Sequence, residues 1–207
     1  MLNHSASTVQ PLVRQMWRQL VEQSIVLADE TRVLLLTRDS LNEEQQKQLD
    51  RRGTTKEPAD EDSPPERNGS GSATSYAWLF SGLDGLAPYN YFHWSLTRSH
   101  SVVDERLSQF SGTVVADAYE AYAHIEKRSG GRIVHASCNW HARREFVKAE
   151  AYEPILCAQM ISLYQQLYAI EERAKTWSAS ARYELRQREA IPIWRHIEQW
   201  LQRESVR

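Results

Sequence analysis

Apolar and polar positions change period several times along the chain, and each change marks an element. Leu12, Met16, Trp17, Leu20 and Val21 recur at helical spacing and predict a short amphipathic helix over residues 10–23. Ser24-Ile25-Val26-Leu27-Ala28-Asp29 reads as a buried strand that ends on an acid, and Glu30 to Leu36 continues it or begins a hairpin. Two aromatic-rich runs, Ser75 to Phe80 and Tyr89 to Leu96, flank a Gly/Asp/Pro turn between Gly82 and Pro88, a hairpin signature. Ser101 to Phe110 reads as a helix capped by Ser101, with Val102, Val103, Leu107 and Phe110 on one face. Gly112 to Asp117 is a second buried strand ending on an acid, Ala118 to Ile125 a short helix, and Arg132 to Cys138 a third buried strand. From His141 onward the pattern is helical, in segments 141–151, 153–177 and 180–205.

Residues 39–75 interrupt this order. They hold Pro58, Pro64, Pro65 and Asn68-Gly69-Ser70-Gly71-Ser72, a composition that buries little and predicts a flexible polar excursion. The chain thus divides into residues 1–38, a helix and first core strand; 39–75, the excursion; 76–150, the rest of the core; and 151–207, a helical segment. Three early strands followed by alternating helix and strand is the order of a ribonuclease H-like core: α/β, a mixed sheet with flanking helices. Other α/β arrangements share that order.

Composition narrows the class. A chain of 207 residues, 41% hydrophobic, has enough apolar sequence for a core, and its net charge of -2 argues against a strongly basic nucleic-acid module. Basic residues can still cluster locally. With Cys138 and Cys157 as the only cysteines, a disulfide framework is not expected. No apolar run approaches the roughly 20 residues of a membrane span, and Met1 to Gln10 lacks the basic and apolar regions of a signal peptide. A cytoplasmic location, with no membrane partner, is the expectation.

Asp29 and Asp117 each close an aliphatic run, which places an acid at the rim of a sheet, where ligands of open α/β sheets collect. Two carboxylates brought together there repel unless a cation neutralises them, and hard oxygen ligands favour Mg²⁺ or Mn²⁺ over zinc. Asp at a strand end also opens turns and caps helices, so spacing alone leaves both readings open. Cys138-Asn139-Trp140-His141 has the spacing of half a zinc site, but no second paired spacing accompanies it, and a buried Cys beside a helix-start His gives the same pattern. Arg143, Arg144 and Lys148 suit phosphate contacts, though a solvated helix face is the usual place of such residues. Trp78, Trp94, Tyr76, Tyr89 and Tyr91 could stack on bases, though their alternation along strands favours core packing.

Taken together, several ordered stretches resemble the transposases of the insertion sequence 66 family. Asp29-Glu30-Thr31 looks like that family's D-E-T motif, and Thr97-Arg98-Ser99 like its T/S-R-S stretch. Gly112 to Tyr122 resembles G-x-L-x-x-D-G-Y-x-x-Y, and Cys138 to Phe146 resembles C-W-A-H-A-R-R-x-F. Ala118 stands where the family has Gly, and Asn139-Trp140 where it has Trp-Ala. The resemblance implies a ribonuclease H-like fold and DNA strand cleavage and transfer by two-metal phosphoryl transfer. It makes Asp29 and Asp117 the first two of three metal-binding acids, with Mg²⁺ or Mn²⁺ as cofactor. Implied partners are DNA, both element ends and target, and further transposase subunits or a second copy. Arg143, Arg144 and Lys148 become DNA-contact candidates, and Cys138 with His141 a structural or metal-binding pair. The N-N-x-x-E-R stretch that carries the family's third acid does not occur here. The expectation is therefore a fragment with an incomplete helical insertion, inactive alone. The alternative is a non-catalytic DNA-binding or regulatory remnant that assembles with an intact transposase.

Overall fold

A computed structural model describes residues 2–35, 43, 44, 47, 73–82 and 89–204 of the chain. Side chains are described from residue 7 onward, Ala73 excepted. The excursion expected at 39–75 lies mostly outside the described residues, and its last three positions belong to a strand. Two compact units result, Met1–Cys138 and Asn139–Arg207. The break falls inside the 76–150 stretch grouped with the sheet from sequence, because Ala142 and Phe146 pack with the later helices.

The first unit runs α1 (Leu2–Val21), β1 (Ile25–Leu35), β2 (Ala73–Gly82), β3 (Tyr89–Ser95), α2 (His100–Arg106), β4 (Gly112–Ala116), α3 (Ile125–Arg128) and β5 (Ile133–Ser137). The strands form one sheet in the order β3-β2-β1-β4-β5. β1 pairs antiparallel with β2, and β2 with β3, as a hairpin meander requires. β4 lies parallel to both β1 and β5, each connection passing through a helix. The fold is thus α/β with a mixed five-stranded sheet.

One face of the sheet carries the core. Alternate residues of the strands supply Val26, Ala28, Tyr76, Trp78, Phe80, Val114, Ala116 and Ile133. Leu20 of α1, Val102 and Val103 of α2, then Leu107, Phe110, Tyr122 and Ile125 pack against them. Trp17 meets Phe80 edge-on at 5.3 Å and Tyr91 at 4.6 Å, fixing α1 to the hairpin.

Three expectations need correction. Asp29 does not end its strand: of the two readings of Glu30 to Leu36 the continuation holds, and β1 runs on to Leu35, because β2 pairs with it along its whole second half. Ser99, not Ser101, caps α2, its side chain accepting from the Ser101 backbone N–H. Residues 118–125 are not a helix. The N–H groups of Tyr122, Ala123 and Ile125 each donate to the carbonyl three residues back, closing single turns, His124 takes a left-handed conformation, and the Arg128 guanidinium takes the Ala121 carbonyl at 2.7 Å. The helix begins only at Ile125.

The second unit is helical: α4 (Asn139–Ala149), α5 (Pro154–Arg173), α6 (Ala179–Leu185), a π-helical turn (Arg186–Ala190) and α7 (Ile191–Glu204). Met160, Tyr164, Leu167, Leu185, Ile197 and Trp200 are among its buried residues. Trp200 donates its indole N–H to Gln159 at 3.0 Å, so the ring is buried without losing its polar handle. Among the described residues no helix is long and apolar enough to cross a membrane.

Gly112 has φ +156°, and a Cβ there would lie 2.4 Å from the Ser24 carbonyl oxygen, which accepts the Thr113 N–H at 2.9 Å. That hydrogen bond starts the parallel pairing of β1 and β4. Gly112→Ala should lower unfolding stability by about 2–3 kcal/mol, because the two strands cannot part without losing it. Urea unfolding followed by circular dichroism checks this, and an unchanged midpoint would refute it.

Candidate functional site

The site begins with the β1–β4 register. Ile25, Val26 and Leu27 pair with Thr113, Val114 and Val115. Extending that register by two residues brings Asp29 level with Asp117, the first residue after β4. Neighbouring strands lie about 4.8 Å apart, so two acids at one level are within reach of a common cation. Asp29 accepts the Glu30 backbone N–H at 2.9 Å, and Asp117 accepts that of Tyr119 at 3.0 Å. As hard oxygen donors the two fit a divalent ion such as Mg²⁺ or Mn²⁺. Among the described residues no group of three or more His, Cys, Asp or Glu side chains is disposed to hold a metal.

Glu30 was not singled out from sequence, yet it is the most constrained acid of the group. Its neighbour Asp29 turns to one face of the sheet, so Glu30 turns to the other, beside Trp78. Its side chain is only 2% exposed. Arg98 donates to Glu30 Oε1 from Nε at 2.9 Å and from Nη2 at 2.7 Å, and the Tyr122 hydroxyl donates to Oε2 at 3.0 Å. Burial pushes the Glu30 carboxyl above its ordinary value; Arg98 opposes that shift and Asp117 adds to it. Tyr122 is pushed up too, first by burial, then by Glu30, with Asp117 and Asp29 adding their charge. All three carboxylates therefore act on one hydroxyl.

The segment that delivers Arg98 is held by its own hydroxyls. Thr97 N–H donates to Ser95 Oγ at 3.1 Å and Ser99 N–H to Thr97 Oγ1 at 3.0 Å, just before Ser99 caps α2. The arginine then lies over the Tyr119 ring, 3.6 Å from its centroid. The Tyr119 hydroxyl returns a hydrogen bond to the Arg98 carbonyl at 2.9 Å. The sequence signal for these residues was the set of stretches around them, which spacing alone could not connect.

Cys138 is a half-buried free thiol that closes the first unit, its N–H bonded to the Ala116 carbonyl at 2.7 Å. His141 stands in the first turn of α4, its ring edge-on to Trp140 at 5.3 Å. Arg144 lies 5.8 Å from the Trp140 ring centroid and Lys148 pairs with Glu145 at 3.4 Å. Arg143 is half-buried on the same helix. Of the aromatic residues weighed for stacking, Tyr76 and Trp78 are core, whereas Trp94 is 41% exposed. Glu171 and Glu172, on α5, pair with Arg186 and Lys175.

Fold and site define a class: an α/β unit with one carboxylate on its central strand and a second just past the end of the adjacent parallel strand, and a helical unit later in the chain. The chain belongs to the IS66 transposase family: the model described as "Transposase IS66 family" matches residues 53–207. That span includes Arg98, Asp117, Cys138 and His141, and begins after Asp29. The chain is also similar to a protein of Sinorhizobium fredii (strain NBRC 101917 / NGR234) described as "Uncharacterized protein y4jD", 30% identical over 114 residues. The match covers 50% of this chain and 21% of that relative, so the chain spans about a fifth of its length.

The buried ion pair yields a pH prediction. Between the ordinary value of 4.5 and the raised folded value, the folded chain holds more protons at Glu30 than the unfolded chain does. This group therefore makes stability fall as pH rises through that window. Arg98→Met removes the opposing cation and leaves a buried carboxylate unpaired. It should cost about 3–5 kcal/mol near neutral pH. The deficit should narrow as the pH is lowered toward the carboxyl's ordinary value of 4.5, because protonation removes the uncompensated charge. Chemical denaturation at both pH values checks this; a deficit that does not depend on pH would show that Glu30 is not the group left uncompensated.

Proposed function

We propose that the first unit is a ribonuclease H-like core in which Asp29 and Asp117 are metal-binding carboxylates of a DNA transposase, acting in strand cleavage and transfer. The observation that carries the reading is the register that levels the two acids on adjacent parallel strands, within a chain of the IS66 transposase family. The strand order β3-β2-β1-β4-β5, antiparallel then parallel, supports the fold. When bound, two ions about 3.5–4 Å apart would activate an attacking hydroxyl and stabilise the leaving oxygen. The chain's own part is to hold Asp29 and Asp117 at one level and one spacing. Arg143, Arg144 and Lys148, all on α4, are the proposed contacts to DNA phosphates. Partner transposase subunits or a second copy belong to the same reading.

The test is DNA binding and cleavage with a supercoiled plasmid carrying matched element ends, with and without Mn²⁺. The expected outcome is salt-sensitive binding that Mn²⁺ tightens, an effect weakened about tenfold by Asp117→Asn. No nicking is expected of this chain alone, because no third ligand joins the two acids among the described residues. Metal-dependent nicking abolished by Asp117→Asn would show that an acid of this chain completes the site. Binding wholly indifferent to Mn²⁺ and to Asp117→Asn would defeat the metal reading and favour a non-catalytic DNA-binding role.

A further inference from the structure

We infer that Glu30, Arg98, Tyr119 and Tyr122 are positioning residues that set the separation of Asp29 and Asp117, an inference that rests on the metal reading above. Glu30, Arg98 and Tyr119 form a continuous path between the two acids, and Tyr122 braces Glu30 from the side. Asp29 Oδ1 accepts the N–H of Glu30 at 2.9 Å. Glu30 is held by Arg98 at 2.7 and 2.9 Å and by the Tyr122 hydroxyl at 3.0 Å. Arg98 stacks on Tyr119, whose hydroxyl donates to the Arg98 carbonyl at 2.9 Å. Tyr119 N–H then donates to Asp117 Oδ1 at 3.0 Å. Every link is a directed hydrogen bond or a ring contact.

The path matters because the sheet alone leaves the separation loose. β4 ends at Ala116, so Asp117 stands beyond the last ladder pair. Its position then depends on the turns after the strand, where Tyr119, two residues on, grips its carboxylate. Tyr119 is in turn held by Arg98, and Arg98 by Glu30, which adjoins Asp29 on the central strand. A change in Arg98 therefore moves Asp117 relative to Asp29 without touching either carboxylate. Second-layer partners of this kind change metal affinity by roughly 10–100-fold when removed. None of the four needs to touch an ion.

The experiment measures Mn²⁺ affinity of the full chain from the electron paramagnetic resonance signal of free Mn²⁺, at near-neutral pH and a temperature where circular dichroism shows the variants folded. Asp29→Asn and Asp117→Asn are run first, and each should abolish or strongly weaken binding. Arg98→Met should weaken it about tenfold, and Arg98→Lys, which keeps the charge but not the fork, should recover part of that loss. Tyr119→Phe keeps the ring and removes one hydroxyl; it should weaken binding about threefold with little change in melting temperature, the outcome that a purely structural role would not give. Should Arg98→Met not fold, Arg98→Lys and Tyr119→Phe decide the matter. If both aspartate variants lose Mn²⁺ while Arg98→Lys and Tyr119→Phe bind as the unsubstituted chain does, the positioning role is wrong and the metal site stands. If the unsubstituted chain binds no Mn²⁺, or the aspartate variants bind normally, the metal reading itself fails, and this inference with it.

Discussion

Side chains of a strand alternate between its two faces, and that constraint organises the first unit. Asp29 and Glu30 are consecutive on β1, the central strand, so they cannot share a face. Asp29 is exposed, and the β1–β4 register continued by two residues sets it level with Asp117. Glu30 goes to the core face, where an isolated carboxylate would be strongly unfavourable. The structure answers with Arg98, just before α2, and with Tyr122. A motif of two adjacent acids thus turns one acid outward and the other to the core face, where it anchors Arg98.

The same constraint explains why stretches far apart in the chain meet. Arg98 comes from the connection after β3, Tyr119 and Tyr122 from the turns after β4, and Glu30 from β1. Each brings hydrogen-bonding capacity that the others consume. Glu30 accepts from two side chains, Arg98 is used by ion pair and ring, and both tyrosine hydroxyls donate. Buried polar groups are stabilising only when satisfied in this way, and satisfied networks are stiff. Under the proposed metal reading, stiffness behind the two acids would fix the ions' spacing, which depends on that of their ligands.

The second unit is built by different means. Its buried residues are those of packed helices, and its exposed charges are paired locally, Glu171 with Arg186 and Glu172 with Lys175. Arg186 lowers the Glu171 carboxyl from its ordinary range, but the pair is exposed on the surface and screened by solvent. The π-helical turn at Arg186–Ala190 lets the chain run from α6 into α7 without a break. Periodicity foresaw the helices of this unit but not that turn, because one extra residue in a turn leaves no clear mark on an apolar pattern.

Local pattern determined a good deal of this protein. The hairpin of β2 and β3, the strands β4 and β5, the apolar face of α2 and the helical second unit were all legible in hydrophobic spacing, which is a property of neighbouring residues; full burial of β5 was not borne out, because it is an edge strand with Val134 exposed. Family-like stretches named Asp29 and Asp117 as well. What sequence could not decide was pairing. Whether Asp29 ended a strand depended on β2 arriving alongside β1, a contact made by residues more than forty positions away. The helix expected at 118–125 gave way to turns because the Arg128 side chain takes the Ala121 carbonyl. Glu30 became important only when the sheet turned it inward and Arg98 met it there. Spacing records which residues share a face of one element; which faces meet, and which buried charge then needs a partner, is settled only when the elements pack.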